Sequence, residues 1–216
     1  MSLSTYGGIK TAIASYLGGR TDLTSQIVDA VTLAETRIHY GTDHEVMPSK
    51  PLRIRAMETR EDITINAEYV SLPTGYLGAR RFHIDGYAPS LDYVTPEQAS
   101  DWYVSTATGR PGWFTLEGDY FRFKPVPDST YTGKLLYYKK FTAFAADGDS
   151  NWLTANAPGA YLYGALIEMM PYTRNDPRMN LWYSTFVGLI NGLNNADRSD
   201  RFSGSALIMQ PSTFGV

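Results

Sequence analysis

Cysteine is absent and histidine occurs only three times in 216 residues. No disulfide or thiolate metal site is open to such a chain, and its composition fits synthesis in a reducing compartment. A basic excess is absent as well: 19 Lys and Arg against 22 Asp and Glu leave a net charge of −3. General nucleic-acid binders usually carry a basic footprint, so that class is disfavoured. No run reaches the ~20 apolar residues that a transmembrane helix needs. The opening MetSerLeuSerThrTyrGlyGly has neither a charged n-region nor an apolar h-region, so no secretory signal and no membrane partner are expected. There is no GxSxG elbow, no phosphate-binding glycine loop and no dinucleotide fingerprint. The residues assign no catalytic group, no cofactor and no metal.

What the chain does have is an almost uncharged rod. From Ala157 to Tyr172 the only charge is Glu168. Apolar or small residues lie on every side of a helical wheel, so this helix must be buried all round. Pro158 suits its first turn. Gly159, Ala160, Gly164 and Ala165 allow close approach by neighbours, while Tyr161, Leu162 and Tyr163 can reach outward. After Asp176-Pro177, an N-cap followed by a first-turn proline, Met179, Trp182, Phe186, Ile190 and Leu193 form one apolar stripe. The short link between them implies an antiparallel pair.

The N-terminal region supplies two more helices. One carries Ile9, Ile13, Tyr16 and Leu17 and ends at Gly18-Gly19. The next, after a turn at Asp22 to Ser25, carries Ile27, Val31, Ala34 and Ile38 and ends at Gly41. Between Thr42 and Ser150 the periodicity turns strand-like. Leu52, Ile54 and Ala56 alternate with arginines, and Ile63 and Ile65 with polar residues. Further strands are read at Tyr69 to Leu72, Arg80 to Ile84, Leu91 to Val94 and Gly133 to Phe141. Trp113 to Phe123 reads as a hairpin about Glu117-Gly118-Asp119, and Thr95-Pro96-Glu97 starts a short helix.

The expected fold is therefore α+β. N- and C-terminal helices, residues 1–45 and 150–203, form a discontinuous four-helix bundle with an inserted antiparallel β-rich domain at 46–149. Residues 204–216 follow as an extended C-terminal tail. That end is apolar in part yet broken by Gly204, Pro211 and Gly215, which suits a segment ordering on a partner. Phe202, Leu207, Ile208, Met209 and Phe214 are its candidate contacts.

Several side-chain groups invite chemistry. His39 and His44 could share a metal, but no carboxylate–histidine motif surrounds them. Glu117-Gly118-Asp119 and Asp147-Gly148-Asp149 read as turns, because a calcium loop needs a longer series of oxygen ligands. Lys50, Arg53, Arg55, Arg60, Arg80 and Arg81 gather positive charge near the start of the β-rich part. Lys50, Arg53 and Arg55 are candidate contacts to DNA or an acidic partner. The same charges suit a solvated strand face with Glu58, Glu61 and Asp62 as partners. Sixteen tyrosines, nine phenylalanines and four tryptophans suit both an interface and cross-strand aromatic pairing.

An ordered series of phrases carries a resemblance. It runs ThrTyrGlyGlyIleLysThrAlaIleAlaSerTyrLeu, LeuAlaGluThrArgIle, ArgAlaMetGluThrArg, TyrValSerLeuPro, TyrValThrProGluGln, GlyArgPro, AsnTrpLeuThrAlaAsnAlaProGlyAlaTyrLeuTyrGlyAlaLeuIleGlu and LeuAsnAsnAlaAspArg. From about Tyr6 to Arg201 the chain resembles the head-to-tail adaptor (connector) proteins of tailed bacteriophages, especially those of short-tailed phages. The resemblance implies a helical bundle with a β-rich insertion. It implies a non-enzymatic virion protein at the neck, whose subunits form a ring, commonly of twelve, under the portal protein. Such a ring extends the DNA channel, passes genomic DNA without sequence-specific binding, and offers a platform for the tail tube or nozzle protein. Two other readings stand beside it. One is a virion-associated carbohydrate-active enzyme using Asp119, Asp128, Asp147 or Asp149; the other is a tail-completion protein.

Overall fold

The computed structural model describes residues 2–102, 108–173 and 176–202. In chain order the helices are α1 (Tyr6–Tyr16), α2 (Thr24–Tyr40), α3 (Pro96–Trp102), α4 (Trp152–Asn156), α5 (Gly159–Glu168), α6 (Met170–Thr173) and α7 (Met179–Phe202). The strands are β1 (Glu58–Ile65), β2 (Tyr69–Ser71), β3 (Tyr76–Ile84), β4 (Asp92–Tyr93), β5 (Trp113–Glu117), β6 (Tyr120–Lys124) and β7 (Tyr131–Lys139). The fold class is α+β. Two units are present: the described parts of Met1–Arg55 with Phe144–Val216, and those of Ala56–Ala143.

The first unit is built on α5. Ala160, Tyr161, Leu162, Gly164, Ala165, Leu166 and Ile167 are all buried, so every side of this helix is covered. Helices α1, α2, α4, α6 and α7 all pack on it. Helix α2 brings Ile27, Ala30, Val31, Ala34 and Ile38, and α7 brings Trp182, Phe186 and Ile190. Closeness depends on glycine. A Cβ on Gly164 would lie 3.1 Å from Ala34 and 3.2 Å from Phe186, and one on Gly159 would lie 3.0 Å from Leu189. These pairings run in opposite directions along α5 and α7, so the two helices are antiparallel. The N-terminal helices thus pack on the rod, together with a C-terminal helix that is remote from them in sequence.

Local signals set the ends. The Thr5 hydroxyl accepts from the Gly8 amide and starts α1. Gly18 and Gly19, at φ 81° and 75°, end it in the left-handed region that glycine enters freely. Asn151 and Thr154 form a reciprocal capping box before α4.

The rod itself differs from expectation. The run from Ala157 to Tyr172 does not make one helix: Ala157 and Pro158 separate α4 from α5, and Met169 separates α5 from α6. Tyr161 does not reach outward. It is fully buried, accepts from Asn151 Nδ2 at 2.8 Å and donates to Glu35 at 3.3 Å. Burial raises the Glu35 carboxyl above its usual range, outweighing the Tyr161 hydroxyl bond, which lowers it.

In the second unit, β1-β7-β3 form one antiparallel sheet and β2-β6-β5-β4 another, antiparallel except for the short parallel pair β4–β5. Inward residues of both sheets make one core of Ile63, Ile65, Phe82, Ile84, Phe114, Phe121, Phe123, Leu135 and Tyr137. Phe82 lies within 5.2–5.6 Å of Phe114, Phe121 and Phe123, centroid to centroid, and so ties one sheet to the other. Phe82, Phe114, Phe121, Phe123 and Tyr137 are therefore core packing, whereas Tyr69, Tyr87, Tyr93 and Tyr120 are exposed. Tyr137 is buried against Glu61, to which it donates at 2.8 Å, and its hydroxyl is pushed up to about 12. The hairpin about Gly118 and the short helix after Thr95 form where the sequence places them. Leu52–Ile54 do not form a strand.

Two glycines separate packing from propensity. Gly164→Leu is expected to cost about 1–3 kcal/mol by overpacking. Gly188 has nothing within 4 Å of its would-be Cβ, so Gly188→Ala is expected to gain roughly 0.8–1.0 kcal/mol of helix propensity. Urea unfolding followed by helical circular dichroism reads both.

Candidate interaction surface

Residues 50–55 follow the turn out of α2 and lie along α7, held by polar side chains of that helix. Leu52 and Ile54 are buried, so alternation here reflects an extended segment pressed onto helices. With no strand beside it, its backbone must be satisfied by side chains. Asn194 does this twice: Oδ1 accepts from the Arg53 amide at 2.8 Å and Nδ2 donates to the Pro51 carbonyl at 3.1 Å. Asp197 accepts from the Arg55 amide at 2.8 Å, and its carboxylate also takes the guanidiniums of Arg55 and Arg201.

This arrangement accounts for two of the three basic candidates. Arg55 also reaches Asp200 at 2.8 Å. Arg53 donates to the carbonyls of His39 and Leu52. Lys50 is exposed and lines an open cleft of about 480 Å³ with Tyr40, Gly41, Thr42, Pro48, Val187 and Asn191. The cleft forms because Gly41, at φ 72°, turns the chain out of α2, and because Thr42 and Ser49 exchange two backbone hydrogen bonds of 2.8 Å. That closes a loop with Val46 at its exposed tip.

Other candidates are dispersed. His39 is buried, and the His44 ring accepts from the Val46 amide. Asp147 pairs with Lys10 at 2.6 Å, and Asp149 accepts from the amides of Ala145 and Ala146, which hold its carboxyl below the usual range. Asp128 accepts from the Tyr131 hydroxyl, and Asp119 sits in the β5–β6 turn. Two of these acids fall in each unit, and Asp128, Asp147 and Asp149 serve local structure. Among the tail residues, Leu207, Ile208, Met209, Phe214 and the side chain of Phe202 lie outside the described residues. No described helix is long and apolar enough to cross a membrane.

One outward feature escaped the stripe pattern. Leu33 and Tyr40 on α2 are 51% and 56% exposed, Val46 71%, and Leu181 on α7 64%. Leu33, Tyr40 and Leu181 lie off the buried seams, a placement visible on a helical wheel, and Val46 sits at the loop tip. Glu168, the one charge of the rod, pairs with Arg37 at 2.7 Å. So the one charge of the rod is paired, while the helices covering it carry scattered apolar residues on their outer sides.

A family model described as SU10 adaptor protein matches residues 4–209. That is nearly the whole chain, and the chain belongs to this family of phage head-to-tail adaptors. A comparison with curated proteins found no match. The family assignment makes the protein a structural adaptor of a bacteriophage, and the match runs past Arg201, where the resemblance read from the phrases stopped.

The clamp has a pH signature. Burial pushes the Asp197 carboxyl up, but the Arg55 amide and the Arg201 and Arg55 guanidiniums outweigh it and hold the group below the usual range. Its contribution is complete above the pH where an unfolded aspartate ionises, and it is lost as pH falls through the lower native value. Asp197→Ala is expected to cost about 1–3 kcal/mol at neutral pH. The difference from the wild type is expected to close below about pH 4, read by thermal melts across pH.

Proposed function

We propose that copies of this chain form a ring beneath the portal, extend the DNA channel and give the tail its docking platform. The protein then belongs at the neck of the virion. Its partners are the portal protein, a tail tube or nozzle protein, and further copies of itself, commonly twelve. Genomic DNA passes the lumen without sequence-specific binding. The helical unit is taken as the bundle that carries the ring, with the β-rich unit as its insertion.

The observation that carries this reading is the pairing of a fully covered α5 with exposed apolar residues on the helices that cover it. A ring needs a heterologous contact, in which two different patches of one subunit meet their complements on its neighbours. Helix α2 offers Leu33 and Tyr40, and α7 offers Leu181 beside Gly188 and Gly192, which leave open space. Leu33 and Leu181 lie off the buried seams of their helices. The slightly acidic net charge also suits a channel past which DNA slides. Residues 203–216 remain the proposed grip on the portal, and Lys50 the proposed contact of the cleft with an acidic neighbour.

Mixing the purified chain with portal rings is expected to add a ring of density under the portal in electron microscopy. Leu33→Asp and Leu181→Asp each place a charge on an outward patch without touching the core. They are expected to keep the helical spectrum and to lower the fraction of decorated portals by about tenfold or more. Full decoration by both variants would remove these patches from the interface, and no decoration by the wild type would remove the ring.

A further inference from the structure

The outer face of β1-β7-β3 carries an unassigned site, fixed by register. Side chains alternate along a strand with a period of two. Arg60 pairs across with Leu136, and Leu136 with Arg81; Asp62 pairs with Lys134, and Lys134 with His83. Two rows of three therefore share one face: Arg60, Leu136, Arg81, and beside them Asp62, Lys134, His83. These six, with Glu61 and Leu135, line a concavity of about 340 Å³.

Most charges here are already used. Lys134 pairs with Asp62 at 2.7 Å and approaches Asp85 at 3.8 Å. Glu61 accepts from Tyr137, and the neighbouring Arg80 meets Glu58 at 3.5 Å. Arg60 and Arg81 are both exposed and make no ion pair or hydrogen bond among the described residues. His83 Nδ1 is buried and also lacks a partner there. A buried polar atom left unpaired is costly and needs an explanation. Three nitrogen groups without partners thus border one hollow, with a leucine between the two guanidiniums.

The arrangement selects its ligand. Arg60 and Arg81 stand two interstrand spacings apart, about 10 Å. Two long arginine side chains splayed from those positions over an apolar floor can reach two carboxylates four residues apart in an extended peptide, about 13 Å at ~3.3 Å per residue, where the period of two puts both carboxylates and the residue midway on one face. Duplex DNA fits poorly. It brings one negative charge per ~1.7 Å of axis, whereas two guanidiniums answer two charges; Glu61 is held by Tyr137, and Asp62 and Asp85 by Lys134. We propose that this concavity docks an extended acidic segment of a protein partner. Arg60 and Arg81 take its carboxylates, Leu136 receives an apolar side chain between them, and His83 Nδ1 gains a polar partner. This site is independent of the ring contacts proposed above.

The test uses the full chain and a fluorescein-labelled peptide, Gly-Ser-Glu-Ser-Leu-Ser-Glu-Ser-Gly. A copy with glutamine for both glutamates and a 20-base-pair duplex serve as competitors. Saturable binding to the acidic peptide is expected, with the glutamine copy failing to compete. Arg60→Ala and Arg81→Ala, each checked for an unchanged far-ultraviolet spectrum, are expected to weaken binding about tenfold. Arg80→Ala, which lies outside the hollow, is expected to change it by less than about twofold. The His83 ring resonances are expected to move on peptide addition in the wild type. No saturable binding, binding indifferent to both arginines, or tighter capture of the duplex through them would overturn the proposal.

Discussion

A helix that is apolar on every side cannot stand at a surface, and that constraint organises the helical unit. Helix α5 is short, and propensity alone would hardly sustain it in water. It survives because α1, α2, α4, α6 and α7 remove it from solvent. Glycines at 159 and 164 let the covering side chains come within about 3 Å of where a methyl would sit. Its one charge, Glu168, does not break the cover, because Arg37 of α2 meets it at 2.7 Å. Chain ends separated by the whole β-rich segment are thereby joined.

The same constraint explains where polar groups went. Segment 50–55 has to leave the helices without a strand to pair with, so Asn194 and Asp197 of α7 stand in for one. Tyr161 is drawn into the core and brings Asn151 and Glu35 with it. The β-rich unit solves its own problem differently, with Phe82 set among phenylalanines of the second sheet. Once both interiors are closed, what remains outside can serve assembly. Apolar residues lie on the outer sides of α2 and α7, and a hollow with two unpaired arginines lies on a sheet face.

Much of this was legible because periodicity and punctuation agree. Ile27, Val31, Ala34 and Ile38 mark the buried seam of α2. Trp182, Phe186 and Ile190 mark that of α7. Gly18, Gly19, Gly41 and Gly118 mark turns that their positive φ angles require. Misreadings arose where one pattern has two physical causes. Leu52 and Ile54 alternate like a strand, yet the segment is extended only because it lies on α7. Pro158 does stand at the start of α5, but the separate short helix α4 just before it was not read. Tyr161 looked outward-reaching because a wheel shows position and not depth. The roles of Asn194 and Asp197 were not legible, because a polar residue bonding remote backbone has no local signature. Arg60, Arg81 and His83 could be grouped only once the register of β1, β7 and β3 was known.

Native-state hydrogen exchange on the free protein tests the central claim most directly. If α5 depends on cover from both ends of the chain, its amides should exchange only when the whole helical unit opens. Amides in the middle of α2 and α7 should then share its opening free energy. Slow exchange in α5 while α1 and α2 open separately, or fast exchange in α5 beneath a protected α7, would contradict the account.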